Sequence, residues 1–329
     1  MLRKIAVLFI FLCFFCCTFS FAQTALLVLE KNDKALAIVD PTTLKVTSRA
    51  PAGEDPHEVV ASGDGRFAYI SNYGAFQSPQ HTLSVVDLSA AKALPAIDLG
   101  SLRAPHGLMM VNGNIYFTAE GSKAIGRYNP ATRQVDWTLG LGQNRTHMLF
   151  VAKDENRIFT SNVNSNSISI LDRDKSGDAS GWVENTISVG SGPEGFDVSP
   201  DEKELWAANS HDGTVSIIDL TSRKIVQTID TRTKMANRLK FTPDGKMVLI
   251  SDLRSGDLVI IEVSSRKEIK RENLGHGAAG ILIVPDGSHA YIAVSPDNNI
   301  AVLDLKTLSV TGRIPTGKGP DGMAWSVRK

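Results

Sequence analysis

The chain holds only three cysteines, Cys13, Cys16 and Cys17, and none in the remaining sequence up to Lys329. That scarcity removes disulfides, thiolate catalysis, cysteine-ligated zinc and covalent c-type haem from everything downstream. Charge of one sign is also missing, since Lys+Arg and Asp+Glu are equal at 35 each. No basic block exists to neutralise a run of phosphates, so nucleic acid is excluded as the main partner. There is no phosphate-binding loop of the G-x-x-x-x-G-K type and no G-x-S-x-G nucleophile elbow. Past the N-terminus no segment is apolar enough to span a bilayer. What is present, 42% hydrophobic and 21% charged residues, belongs to a folded globular chain.

Met1 to Ala22 carries Arg3 and Lys4, then an apolar run from Ile5 to Phe15, then Ser20-Phe21-Ala22. The order of basic, apolar and small-x-small residues is that of an export signal. The apolar run is shorter than the roughly 20 residues of a spanning helix. Cleavage after Ala22 is expected, giving a signal peptide at 1–22 and one domain at 23–329, in the periplasm or secreted. Loss of Arg3 and Lys4 from the balanced 35 and 35 leaves the mature chain at a formal charge of −2.

Self-comparison finds a repeat. Asp55-Pro-His-Glu-Val-Val-Ala-Ser-Gly-Asp-Gly-Arg-Phe-Ala-Tyr-Ile-Ser-Asn72 returns as Gly192-Pro-Glu-Gly-Phe-Asp-Val-Ser-Pro-Asp-Glu-Lys-Glu-Leu-Trp-Ala-Ala-Asn209, with weaker copies from Pro105, Thr146, Ala236 and Ala278. A spacing of about 40 to 50 residues is one four-stranded propeller blade. Within a copy, an apolar strand meets a tight turn such as Pro243-Asp-Gly245, and a second strand ends on a polar residue, as at Asn72, Asn162, Asn209 and Asp252. A third strand closes on an Asp or its substitute followed by Thr or Ser, as at Asp40/Thr43, Asn129/Thr132, Asp219/Ser222, Glu262/Ser265 and Asp304/Thr307. Such residues nucleate turns by accepting backbone N–H groups. Ala25 to Ala52 has only the last three strands of a unit, and the missing first strand is Gly319 to Val327. The expectation is an all-β, seven-bladed propeller whose ring is closed by pairing of N- and C-terminal strands, a form that needs no second copy and is expected to be a monomer.

Tyr-Ile-Ser-Asn at 69–72, Phe-Thr-Ser-Asn at 159–162, the Pro-x-Gly strand openings and the repeated Ser-Pro-Asp resemble the exported YVTN-repeat (YncE-like) seven-bladed propellers. The resemblance covers essentially the whole mature chain and implies the fold. It implies little about function, because the architecture hosts binding scaffolds, lyases, lactonases and redox subunits. The copy from Pro105 departs most, with Ala119 where the pattern has Asn.

First strands of a propeller line its axis, so the residue at each strand's entrance belongs to one ring. That position reads His57, His106, His147, Glu194, Asn237, Ala279 and Asp321. Three imidazoles and the carboxylate of Glu194 form a candidate first shell for a divalent transition metal. The structural alternative is that these histidines hydrogen-bond neighbouring blades. Arg145 and Arg238 in the same loops, with Asn237 and Asp321, are candidates to hold an anionic ligand. A weaker candidate, for calcium, is Asp172, Asp174, Ser176 and Asp178, where oxygen side chains alternate, but Val183 stands at the twelfth position. Two functions remain open: a scaffold that presents a propeller face to a small molecule or protein, and a metal-dependent lactonase-like, lyase-like or redox enzyme at the channel mouth.

Overall fold

The computed structural model describes residues 23–75, 77–176 and 181–328. Seven four-stranded antiparallel sheets follow one another around an axis. Blades 1 to 6 occupy 56–98, 105–140, 146–188, 193–230, 236–273 and 278–315, and blade 7 joins Pro320–Arg328 to the strands of 23–51. Ring closure is as expected: the innermost strand of blade 7 is C-terminal, and Gln23 pairs with Arg328 and Leu26 with Trp325. Among the described residues no helix is long and apolar enough to cross a membrane.

The sequence pattern of each blade follows from its position in the ring. Second and third strands are covered on both faces by neighbouring blades and read as apolar runs, as in Leu205 to Ala208 and Val215 to Ile218. Fourth strands face solvent and lose that signal, as in Lys224–Asp230, where burial nearly vanishes. The cores lie between blades: Trp206 and Ala208 of blade 4 pack with Leu239 and Phe241 of blade 5. Third-strand ends behave as the turn pattern requires where Asp or Asn stands there, whereas at Glu262 the turn is closed by the backbone bond from Arg266. Asp40 accepts the N–H of Thr42 at 2.8 Å, and Asp304 accepts that of Thr307 at 2.7 Å. Asp87 does the same for Ser89 and Ala90, a pair hidden in the sequence because Ala90 replaces the hydroxyl residue.

The second strand also carries a connection between blades. In blades 1 to 6 the pairing of first and second strands is interrupted at the same place, between Pro56 and Val59 in blade 1 and between Pro105 and Leu108 in blade 2. Such an irregularity re-aims the residues inside it. In four blades a hydroxyl fills the gap, accepting from its own blade and donating to the next. Ser71 accepts the N–H of Glu58 at 3.0 Å and donates to the His106 carbonyl at 2.7 Å. Thr118 links Gly107 to the His147 carbonyl, Ser161 links Met148 to that of Glu194, and Ser251 links Arg238 to that of Ala279.

Candidate functional site

The entrance residues stand where the repeat register places them, at the second position of each innermost strand. The break in pairing there turns His57, His106 and His147 toward one mouth, where their rings run in series. Centroids are 4.5 Å apart for His57 and His106 and 3.8 Å for His106 and His147. His106 and His147 are buried, at 2% and 3% exposure. Burial pushes the His106 imidazole well below its ordinary value, and the neighbouring His147, His57, Arg238 and Lys31 push the same way. It is therefore neutral at physiological pH.

The residue that completes this cluster is Glu120, which the sequence reading did not select. Its Oε1 lies 2.5 Å from His147 Nδ1, and its Oε2 accepts the Tyr73 hydroxyl at 2.7 Å. Burial works to raise its carboxyl, but His147, Tyr73 and Arg145 outweigh that and hold it below the ordinary value. An ionised carboxylate only accepts, so His147 Nδ1 carries the proton of that bond. Tyr73 in turn packs edge-on to His57 and His106. Burial, the Glu120 charge and their shared bond all raise the Tyr73 phenol, which stays protonated. Both residues lie one position beyond the second strand's polar end, after Asn72 and after Ala119. A ring read at that position, rather than only along first strands, would have found them.

The structure divides the sequence-derived set. His57 Nε2 sits 2.8 Å from Lys31 Nζ and 3.1 Å from Asp55, apart from the Glu120 carboxylate that accepts from His147. Its Nδ1 is 3.8 Å from Asp321. Glu194 is held by Asn237 at 2.9 Å and Arg145 at 3.2 Å, so the carboxylate at the buried histidines is Glu120 and not Glu194. Burial tends to raise the Glu194 carboxyl, but His147, Arg145 and Arg238 keep it lowered. Arg238 is buried and crosses the axis to Glu58, 2.5 Å away, so its charge is already paired. Arg145 keeps 36% side-chain exposure between Glu120 and Glu194 and is the cation open to a ligand.

Beside this cluster lies a pocket of about 410 Å³ lined by Tyr73, Ala75, Pro79, Ala104, Glu120 and Arg145, among others. Its outer wall exists because the hairpin of blade 1 is extended, with Gly74 pairing to Pro79 and Ala75 to Ser78 beyond the normal strand ends. Below the Arg238–Glu58 pair a second cavity follows the axis toward the other face, lined by Met110, Met148, Phe150, Met323 and Trp325.

The calcium candidates are used otherwise. Asp172 forms ion pairs with Arg157 at 3.2 Å and Arg223 at 2.9 Å. Asp174 accepts from the Ser176 backbone and hydroxyl, a local turn. Asp178 lies outside the described residues.

Residues 139–228 match the family model described as Lactonase, 7-bladed beta-propeller. Antigen Lp49 of Leptospira interrogans is 28% identical over 113 residues, which is 34% of this chain and 22% of that protein, so the chain matches well under two thirds of that relative. A solved chain of Kuenenia stuttgartiensis hydrazine synthase is 20% identical with a TM-score of 0.68, over 82% of this chain and 89% of the other. A putative 6-phosphogluconolactonase from Bacteroides uniformis is 16% identical with a TM-score of 0.76, over 92% and 99%. Identities this low speak for architecture alone. The chain is a seven-bladed β-propeller with a lactonase-type match across blades 3 and 4.

Proposed function

We propose that this is an exported propeller that binds a small oxygen-rich molecule, a lactone or sugar acid by class, at the histidine mouth. The observation that carries the proposal is the pocket itself, in which the half-open Arg145 guanidinium stands beside the buried Glu120–His147 pair. A guanidinium suits a carboxylate or a polarised carbonyl, and Glu120 and Tyr73 supply further polar contacts. The lactonase-type match supports the ligand class, because its span contains Arg145, His147 and Glu194. A protein partner is less well matched to this mouth. Among the described residues the exposed large apolar side chains Val183, Ile225, Val226 and Ile269 lie instead on the outer strands of blades 3 to 5, and Val327 lies near the far end of the closing strand.

The test uses gluconate for binding and δ-gluconolactone for turnover. Calorimetry should show gluconate binding that weakens at least about tenfold in Arg145→Ala, equivalent to about 1.4 kcal/mol. Ring opening by water releases a proton as the carboxylate forms, so a pH-stat reads turnover directly. If neither compound binds and Arg145→Ala changes nothing, the proposal is wrong. Export has its own test: expressed with its leader in a secreting host, the protein should show by intact mass a chain beginning at Gln23.

A further inference from the structure

We propose that His106 and His147 bind a divalent transition-metal ion through His106 Nδ1 and His147 Nε2, with Glu120 as the positioning residue that fixes the His147 ring. The inference rests on the mouth being the working site, as above, and adds what the site holds. Both named nitrogens are buried and have no hydrogen-bond partner. A buried polar atom left unpaired costs free energy, so two in facing rings call for an occupant. One nitrogen from each ring and one Glu120 oxygen lie within 4.8 Å of one another. Metal–imidazole bonds are about 2.0–2.1 Å, so two donors on one ion stand at most about 4 Å apart.

The tautomer supports the assignment. Because the ionised Glu120 accepts the bond that His147 Nδ1–H donates, the lone pair available for a metal is on Nε2. Carboxylate, imidazole and metal in line is the usual way a second layer orients a ligand, and Tyr73 steadies the carboxylate from its other oxygen. Charge around the mouth agrees. Asp55, Glu58, Glu120, Glu194 and Asp321 face Lys31, Arg145 and Arg238, an excess of two negative charges that a divalent ion balances. Imidazole donors select zinc, copper, nickel or iron over calcium and magnesium, which take oxygen.

Chelator-treated protein is titrated calorimetrically with Zn²⁺, and with Ca²⁺ in parallel. One equivalent of Zn²⁺ should bind, and Ca²⁺ should not compete for it. His106→Gln and His147→Gln should each abolish that binding, Glu120→Gln should weaken it about 10–100-fold, and the exposed His276→Gln should leave it unchanged. Should the histidine variants fail to fold, Cu²⁺ loaded into the wild type decides, because its electron paramagnetic resonance should show two coupled imidazole nitrogens. Absence of Zn²⁺ uptake, uptake unchanged in both histidine variants, or a Cu²⁺ signal without two nitrogens overturns the inference. The two proposals fail separately. Metal uptake without gluconate or lactone binding removes only the ligand class, and gluconate binding by a protein that takes up no metal removes only the metal.

Discussion

Single hydroxyls do more in this ring than their size suggests. Ser71 is fully buried and bonds to two blades at once, so Ser71→Ala strands the Glu58 N–H and the His106 carbonyl together. A loss of about 1–3 kcal/mol is expected, read as a lower midpoint in urea with an unchanged slope. Two carboxylates predict opposite pH behaviour. Asp304 is held below its usual value by the N–H and hydroxyl of Thr307. Its contribution is present above about pH 4 and disappears as pH falls through the lowered value, so Asp304→Ala should lower the melting temperature at pH 7 and leave it unchanged near pH 2. Asp197 is raised by burial, which Lys240 only partly offsets. The folded state therefore loses stability as pH rises from about 4 through the raised value, and Asp197→Asn should melt higher than wild type at pH 7 but not at pH 3. The turn residues were legible in the sequence because their bonds are local. Glu120 was not, because its partners Tyr73 and His147 come from the blades on either side, and one copy's sequence does not show what the next will bring.

At the scale of strands, the first three of each blade were readable from apolar runs and turns, whereas the fourth, exposed and mixed in composition, had to be inferred from spacing. The Pro-x-Gly openings have a steric origin. A Cβ on Gly195 would come within 2.6 Å of the Asn237 carbonyl oxygen, and one on Gly322 within 2.2 Å of that of His57. Inner strands pack too tightly there for any side chain directed at the neighbour. Gly322→Ala should therefore cost more stability than an alanine substitution of the exposed Gly140 on an outer strand, where a Cβ meets nothing within 4 Å. Paired thermal melts would check this, and equal losses would refute it. The extended blade 1 hairpin serves the pocket and not the core. Replacing its tip beyond Gly74 and Pro79 with a two-residue turn should weaken gluconate binding while leaving the melting temperature within a few degrees of wild type.

For the whole molecule, the ring closes only when Pro320–Arg328 pairs with the strand that begins at Gln23. Deletion of 320–329 should expose the inner edge of the strand that begins at Gln23, and sedimentation should then show more association than in the intact chain. Closure was legible because the two partial units complement each other. The division of the axis by Arg238 and Glu58 was not, since it joins residues 180 positions apart. The closing strand has one more effect. It enters at the histidine mouth with Pro320 and finishes on the opposite face, beside Gln23. A bead or tag attached through Gln23 or Arg328 therefore sits beneath the ring, and an immobilised molecule displays its mouth away from the support.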